Sequence, residues 1–302
     1  MELPQLSHFI AVAENGSIGQ AARTLRMTQP GLTKSIRRLE ASLGVRLVER
    51  RPRGVALTEE GRRLLEHAKL IQLQVNDARR EVVSGSAGET EELTVGAGPS
   101  WISRHLPTAV GRLIAETPNV RIRIVGGFND RLLAALNDGQ LDIVIAALPE
   151  AGPPDGLAAI PLTHDDLEVV ARQHHPLFAR RKPGLADLQA ANWILPGREV
   201  ATRVRFDALF LVRGVVPPSP IIESDSISFI LATLRESDLL GFCTRQLLVG
   251  EEARGLATLN IPGFSVRREA GIVYRTRSVM SRTATSLLGH LRSICAEHVR
   301  QN

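Results

Sequence analysis

Apolar positions recur at intervals of three and four over the first sixty residues. Leu6, Phe9, Ile10 and Ala13 fall on one face of a helix predicted from Pro4 to about Glu14. Leu32, Ile36, Leu39 and Leu43 form the stripe of a longer helix beginning at Thr28. A short helix between them starts at Ser17, a good N-cap, and Gln20 at its third position completes a capping box. Ala21 and Ala22 are small enough for another helix to cross closely. Arg26 and Met27 make a turn, Thr28 caps the next helix, and Pro30 sits in its first turn, where a missing N–H costs little. The stripe leaves Gln29, Gly31, Thr33, Lys34, Arg37 and Arg38 facing outward. Arg50, Arg51 and Arg53 then flank a turn at Pro52–Gly54. This is a helix-turn-helix with a basic wing, a unit that sets one helix in a DNA major groove. Gln and Thr suit base edges, and Lys and Arg suit phosphates or guanine.

Leu64, Ala68, Ile71, Val75, Ala78 and Val82 alternate spacings of four and three, a heptad seam along one helix from Thr58 to about Ser84. Arg62, Arg63, Glu66, Lys69, Asp77, Arg79, Arg80 and Glu81 flank it as solvated charges. The seam predicts a dimer helix, which would place two heads on a two-fold axis over a near-palindromic site; the alternative is a helix packed on its own domain. The small, polar run Ser84 to Glu92 reads as a hinge that carries the Glu89 to Glu92 charges.

From Leu93 the period changes. Strands are predicted at Leu93–Ala97, around Val120, Ile122 and Ile124, and at Leu141–Ala146. Helices run from Leu106 to Glu116 and from a cap at Asn129 or Asp130. This βαβαβ order implies a parallel sheet with helices on its faces. A second set follows: Leu167–Ala171, Trp193–Leu195, a helix around Phe206–Val212, Pro220–Glu223 and Leu239–Cys243. A strand at Glu269–Tyr274 and a helix from about Ser281 to His298 end the chain. Ligands of such sheets lie beyond the carboxyl ends of the strands. That selects Ser100 to Ser103, Phe128 to Asp130, Ala147 with Leu148, and Pro196 to Arg203. Ser100 and Asn129 read equally as plain N-caps. Trp101 reads either as a wall of the pocket or as a packing residue, and packing is expected. Arg198 and Arg203 would suit a carboxylate but also read as solvated loop arginines.

Composition adds charge and compartment. The 302 residues carry a net charge of +5. Ten basic residues face six acidic ones over 1–62, so +4 of the excess sits on the head. No apolar run approaches a membrane span, and the N-terminus does not resemble a signal peptide. Only Cys243 and Cys295 are present, so a cytoplasmic setting without disulfides is expected, with both thiols buried and structural. Catalytic readings are poor. Gly126-Gly127 lacks the rest of a phosphate loop, and Ser226 and Ser228 lie outside any nucleophile elbow. His164 with Asp165 and Asp166 has no nucleophile. His174-His175 has no partners at metal-ligand spacing, so neither metal nor cofactor is expected.

Residues 1 to about 62 resemble the winged helix-turn-helix of LysR-type transcriptional regulators. The matching residues are Leu6, Phe9, Val12, Gly16, Ser17, Ala21, Ala22, Leu25, Gln29, Pro30, Leu32, Ile36, Leu39, Glu40, Leu43, Gly44, Leu47, Arg50, Leu57, Thr58 and Gly61. Gly19, Gly31, Thr33 and Val48 depart from common family residues. The resemblance extends more weakly over the whole chain. It implies an α/β protein with an all-α head: a DNA-binding domain over 1–62, a dimerisation helix and hinge over 58–90, and an effector-binding domain over 91–302. That domain is similar to periplasmic binding proteins, with lobe I at about 91–163 and 267–302 and lobe II at about 164–266. The DNA-facing residues implied are Ser17, Thr28, Gln29, Pro30, Gly31, Thr33, Lys34, Arg37, Arg38, Arg50, Arg51 and Arg53. Effector contacts are implied at Ser100, Asn129 and Thr202 or their neighbours Trp101, Ile102, Ala147, Leu148 and Arg203. Implied partners are double-stranded promoter DNA, a small-molecule effector such as an organic anion, further copies forming a homodimer or homotetramer, and RNA polymerase. Two other classes are a ligand-binding protein or enzyme with an incidental head, against which the basic head argues, and an architectural DNA-binding protein, against which the two-lobed body argues.

Overall fold

Helices α1 (Leu3–Asn15), α2 (Ile18–Thr24) and α3 (Gln29–Leu43) build the head in a computed structural model that describes residues 1–51, 54–83, 90–276, 278 and 280–301. They meet over Leu6, Phe9, Val12, Ala21, Ala22 and Leu32, all buried in one core with Ile36 and Leu39. Leu43, the predicted end of the α3 stripe, is 38% exposed instead, because the helix ends there at Gly44 and has nothing left to pack against. Strands β1 (Val48–Arg51) and β2 (Gly54–Leu57) pair antiparallel as the wing. The Glu40 carboxylate in α3 accepts from Leu47 N at 2.8 Å and Val48 N at 3.3 Å, which ties the wing to the helix. Gly61, in the first turn of α4, lies against the residue that precedes β1; a Cβ there would lie 2.1 Å from Leu47 O.

Helix α4 (Glu59–Val83) divides the predicted seam in two. Ala68 is buried, and Leu64 and Ile71 pack against the head's own core, so this half is used within the domain. Val75 is half-buried, Ala78 is exposed and Val82 is 78% exposed. Residues 84–89 of the expected hinge lie outside the described residues, as do the flanking side chains of Asp77, Arg79, Arg80 and Glu81. Glu91 and Glu92 belong to the next strand rather than to a hinge.

The chain forms two compact units, Met1–Ser86 and Ala87–Asn302. The second begins with β3 (Glu91–Ala97), α5 (Pro99–Ser103), α6 (Leu106–Glu116), β4 (Val120–Gly126), α7 (Asn129–Asn137) and β5 (Ile143–Ala147). β3 pairs parallel with both β4 and β5, the expected βαβαβ. β4 is an edge strand, so Ile124 is exposed rather than half-buried. Then come β6 (Leu157–Arg172), α8 (Leu185–Ala190), β7 (Ile194–Leu195), α9 (Ala201–Leu211), β8 (Ile222–Glu223) and α10 (Ile227–Arg235). β9 (Gly241–Thr244), β10 (Leu256–Leu259), β11 (Val266–Arg275) and α11 (Arg282–Gln301) complete the unit. One sheet runs β10-β6-β11-β5-β3-β4, with β9 also on β6.

Strand β6 is far longer than the Leu167–Ala171 segment predicted. It crosses antiparallel to β11 from Leu157↔Arg275 to Leu167↔Val266. A register shift at Ala270/Gly271 accommodates Pro161, as bulges do for proline. Gly271 is required there, since a Cβ would lie 2.1 Å from Ile160 O. Cores form on both sides of this crossing. One is built from Leu93, Val95, Leu113, Ile145, Ile272 and Leu291, the other from Leu167, Trp193, Phe206, Phe210, Leu240 and Phe264. The unit therefore has two lobes joined by two crossing strands.

Candidate DNA-binding and ligand sites

Thr28 Oγ1 accepts from Gly31 N at 3.3 Å and fixes the first turn of α3, with Pro30 inside it. Ser17 caps α2 through Gln20 N at 3.4 Å. The expected capping box does not close, because the Gln20 amide oxygen accepts from Arg23 instead. Gln29, Pro30, Lys34, Arg37 and Arg38 are exposed, while Ser17, Gly31 and Thr33 are half-buried. The Thr33 hydroxyl donates to Gln29 O at 2.9 Å. Gln29, Pro30, Thr33, Lys34 and Arg37 line one shallow surface groove. Arg51 is exposed on the wing; the side chain of Arg50, and Pro52 and Arg53 altogether, lie outside the described residues. His8 Nδ1 lies 2.8 Å from Ser35 Oγ, joining α1 to α3, and burial lowers its pKa below 6.5.

In the second unit the carboxyl ends of β3 and β5 face the first turns of α9 and α10 across a cleft of about 690 Å³, counting its open mouth. Ser100, Trp101, Asn129, Ala147 and Thr202 line it. Neither predicted cap is one. Gly98 is the N-cap of α5 and Phe128 that of α7, so Ser100 and Asn129 lie inside the first turns. Asn129 Nδ2 donates to Ala147 O. Trp101 does both things at issue: it is buried in the first lobe's core, and it lines the cleft.

Three expected contacts fall elsewhere. Ile102, two residues along α5 from Ser100 and so roughly opposite it, packs against the first lobe's core. Leu148 follows Ala147 out of β5 and turns to the other face, into a core with Leu132 and Leu136. Arg203 is buried and bound to Asp207 at 2.9 Å, and to Glu223 and Pro196 O at 3.4 Å, so it is not a cleft residue. Arg198 is exposed and outside the lining.

Sequence reasoning missed an ion pair in the cleft lining. Asp165 on β6 and Arg268 on β11 are register partners, and the guanidinium grips the carboxylate through Nε to Oδ1 and Nη2 to Oδ2, the latter at 3.0 Å. Their side chains are only 4% and 9% exposed. The residues are 103 positions apart, and no local signal links them. Also missed were the apolar wall of Leu167, Ile227, Ile230, Phe242 and Leu247, and the Thr244 hydroxyl. Across the cleft, Asp130 Oδ2 accepts from Ala201 N at 3.1 Å, Arg131 pairs with Asp225 at 3.2 Å and Arg205 with Glu150 at 3.0 Å.

Both cysteines are buried, in different cores. Burial, and then the Glu168 carboxylate, push the Cys243 thiol up to about 12. Burial pushes Cys295 up to about 11 against the opposing pull of Arg104. Among the described residues no cluster of His, Cys, Asp and Glu is placed to hold a metal, and no helix is long and apolar enough to cross a membrane. His175 is held by Leu177 N and Asp238 O.

A winged helix-turn-helix in one chain with a two-lobed α/β body and an interlobe cleft defines a ligand-responsive DNA-binding regulator. Residues 3–62 match the bacterial regulatory helix-turn-helix of the lysR family and residues 86–296 match the LysR substrate binding domain. The chain belongs to the LysR family of transcriptional regulators; it has an effector-binding domain and is not an enzyme. It is 34% identical over 296 residues to the SDS degradation transcriptional activation protein of Pseudomonas sp. (strain ATCC 19151), covering 95% of this chain and 94% of that one. A cysteine mutant of Corynebacterium glutamicum OxyR is 28% identical with a TM-score of 0.57, over 99% of this chain and 93% of that one. Full-length CbnR complexed with its target DNA shares the fold at 24% identity, with a TM-score of 0.63 over 97% and 99% of the two chains.

Proposed function

We propose that the amino-terminal half of α3 reads promoter DNA and that the interlobe cleft receives the effector. The head spans 1–62, the dimerisation helix and hinge 58–90, and the effector domain 91–302. The observation that carries the DNA reading is the groove shared by Gln29, Pro30, Thr33, Lys34 and Arg37 at the start of α3. Gln29 and Thr33 meet base edges, Lys34, Arg37 and Arg38 meet phosphates or guanine, and the wing arginines Arg50, Arg51 and Arg53 hold the backbone. Ser17, Thr28, Pro30 and Gly31 set the approach of the two helix starts. The exposed apolar positions of α4 beyond Val75, Ala78 and Val82, pair with a second copy, and homodimers assemble to a homotetramer. In the cytoplasm, effector binding at Ser100, Trp101, Asn129, Ala147 and Thr202 alters head spacing and contact with RNA polymerase. Activation is the outcome to test first, since the Pseudomonas relative is described as an activation protein.

The test is a gel-shift titration on the intergenic DNA beside the gene, at several salt concentrations. Arg37→Ala should cost about 1–3 kcal/mol in operator affinity, and Lys34→Ala should reduce the salt slope by about 1. Unchanged operator binding in both variants refutes the assignment of α3.

A further inference from the structure

We infer that the cleft takes a ligand with an uncharged polar head on an apolar body, and that Thr244 Oγ1 is a hydrogen-bond partner of that head. This rests on the reading of the cleft as the effector site and narrows the organic anion expected from sequence. The far wall is hydrocarbon: Leu167, Ile227, Ile230, Phe242 and Leu247. Of the described residues lining the cleft only Asp165 and Arg268 carry formal charge, and they hold each other in a bidentate pair, so the lining carries no net charge. A carboxylate entering here meets one guanidinium, already held bidentately. Drawing it away would strand the Asp165 carboxylate, itself buried, and a buried unpaired charge is strongly disfavoured. Arg203, beside Thr202, is bound to Asp207 and Glu223. The Ala201 N–H at the start of α9, a natural anion donor, is occupied by Asp130. Asp130 thus holds a carboxylate at the N-terminus of α9, beside the cleft residue Thr202.

What the cleft offers instead is neutral. Ser100, Thr202 and Thr244 are the hydroxyl residues of its lining, and a hydroxyl both donates and accepts. Thr244, at the end of β9 opposite Leu167, is 6% exposed, and its Oγ1 has no hydrogen-bond partner among the described residues. An orphaned hydroxyl on the wall of a cleft is a group awaiting a ligand atom. Carbonyl, amide or alcohol heads satisfy it; a carboxylate would accept from it too, but would lose its hydration against a lining that carries no net positive charge.

The test uses the full chain and two matched pairs, phenylacetamide with phenylacetate and octan-1-ol with octanoate, titrated calorimetrically at neutral pH. Thr244→Val removes the hydroxyl at constant shape, Thr244→Ser restores it, and Thr202→Trp fills the cleft from the surface of α9. The uncharged member of each pair should bind at least about tenfold more tightly than its carboxylate. Thr244→Val should weaken the uncharged members about three- to tenfold and Thr244→Ser should not. Thermal unfolding of Thr244→Val should be undiminished, since the hydroxyl has no partner to lose. Carboxylates that bind as tightly or more tightly, and are excluded by Thr202→Trp, overturn the inference while leaving the cleft as the effector site. Binding that survives Thr202→Trp overturns the cleft reading itself. Silence from all four compounds up to their solubility limits overturns the inference alone, because the ligand is then of another class.

Discussion

Asp165 and Arg268 give the sharpest test of the body's energetics. Asp165→Leu leaves a buried guanidinium unpaired, and Arg268→Met leaves a buried carboxylate unpaired. Breaking a buried pair by removing one partner costs about 3–5 kcal/mol. With side chains 4% and 9% exposed, solvent screening gives little relief. At about 2–4 °C per kcal/mol for a domain of this size, either single change should lower the midpoint of the second unit by roughly 6–20 °C. The double variant Asp165→Leu/Arg268→Met leaves no orphan, and replacing a buried pair with hydrocarbon is neutral or stabilises by about 1–4 kcal/mol. The cycle should therefore show strong coupling rather than a sum. Urea unfolding followed by tryptophan fluorescence reads it directly, because Trp101 and Trp193 both lie in the second unit and the head contains none. Single variants that cost under about 1 kcal/mol, or a double variant that loses the sum of the singles, would refute the reasoning.

Other expectations follow from single contacts. Gly271→Ala drives a Cβ onto Ile160 O at the bulge and should destabilise the second unit by at least about 1–3 kcal/mol; an unchanged urea midpoint contradicts the geometry. Cys243, at about 12, and Cys295, at about 11, stay protonated near neutrality, so native protein should release almost no colour from a disulfide reagent until denatured; stoichiometric reaction within seconds rules this out. His8 has a folded pKa below 6.5, so the unfolded head binds more protons in the window between the two values. Head stability should be full above about pH 6.5, fall as pH drops through that window and level off below it. His8→Gln should flatten the slope, and an NMR titration placing His8 at or above 6.5 would remove the cause.

Local chemistry made the head legible. Caps, proline placement and a three-four stripe act within one or two turns, so Ser17, Thr28 and Pro30 could be placed from sequence, and Leu32, Ile36 and Leu39 are buried as expected. The same logic overran at the end of α3, where periodicity continued to Leu43 although the partner surface had stopped. In the body, the βαβαβ of the first lobe was readable, but β6 was not. Pro161 interrupts its alternation, and only the bulge against β11 lets it continue. The cleft was half legible. Strand ends pointed to Ser100, Asn129, Ala147 and Thr202. Which neighbour turns inward, Ala147 or Leu148, Thr202 or Arg203, depends on side-chain direction that topology alone does not give. The Asp165–Arg268 pair depends on the register of strands a hundred residues apart.

Under the proposed function the effector shifts a balance between open and closed lobes, and that balance is set by what fills the cleft more than by what ties its rim. Arg131–Asp225, at 76% and 60% exposure, is worth about 0–1 kcal/mol, and Arg205–Glu150, whose carboxylate is 69% exposed, is little stronger. The Asp130 bond to Ala201 N resembles a helix cap and contributes on the order of 1 kcal/mol. These three contacts together reach only about 3 kcal/mol and are screened by salt. A ligand burying about 200 Å² of apolar surface against Leu167, Ile230 and Phe242 contributes about 5 kcal/mol. That is close to the roughly 5.5 kcal/mol that carries a two-state balance from one part in a hundred to ninety-nine. A polar head on Thr244 adds specificity, but the hydrocarbon body supplies the closing force. Salt should then alter the lobe balance slightly, while lengthening or shortening the apolar body should alter it strongly.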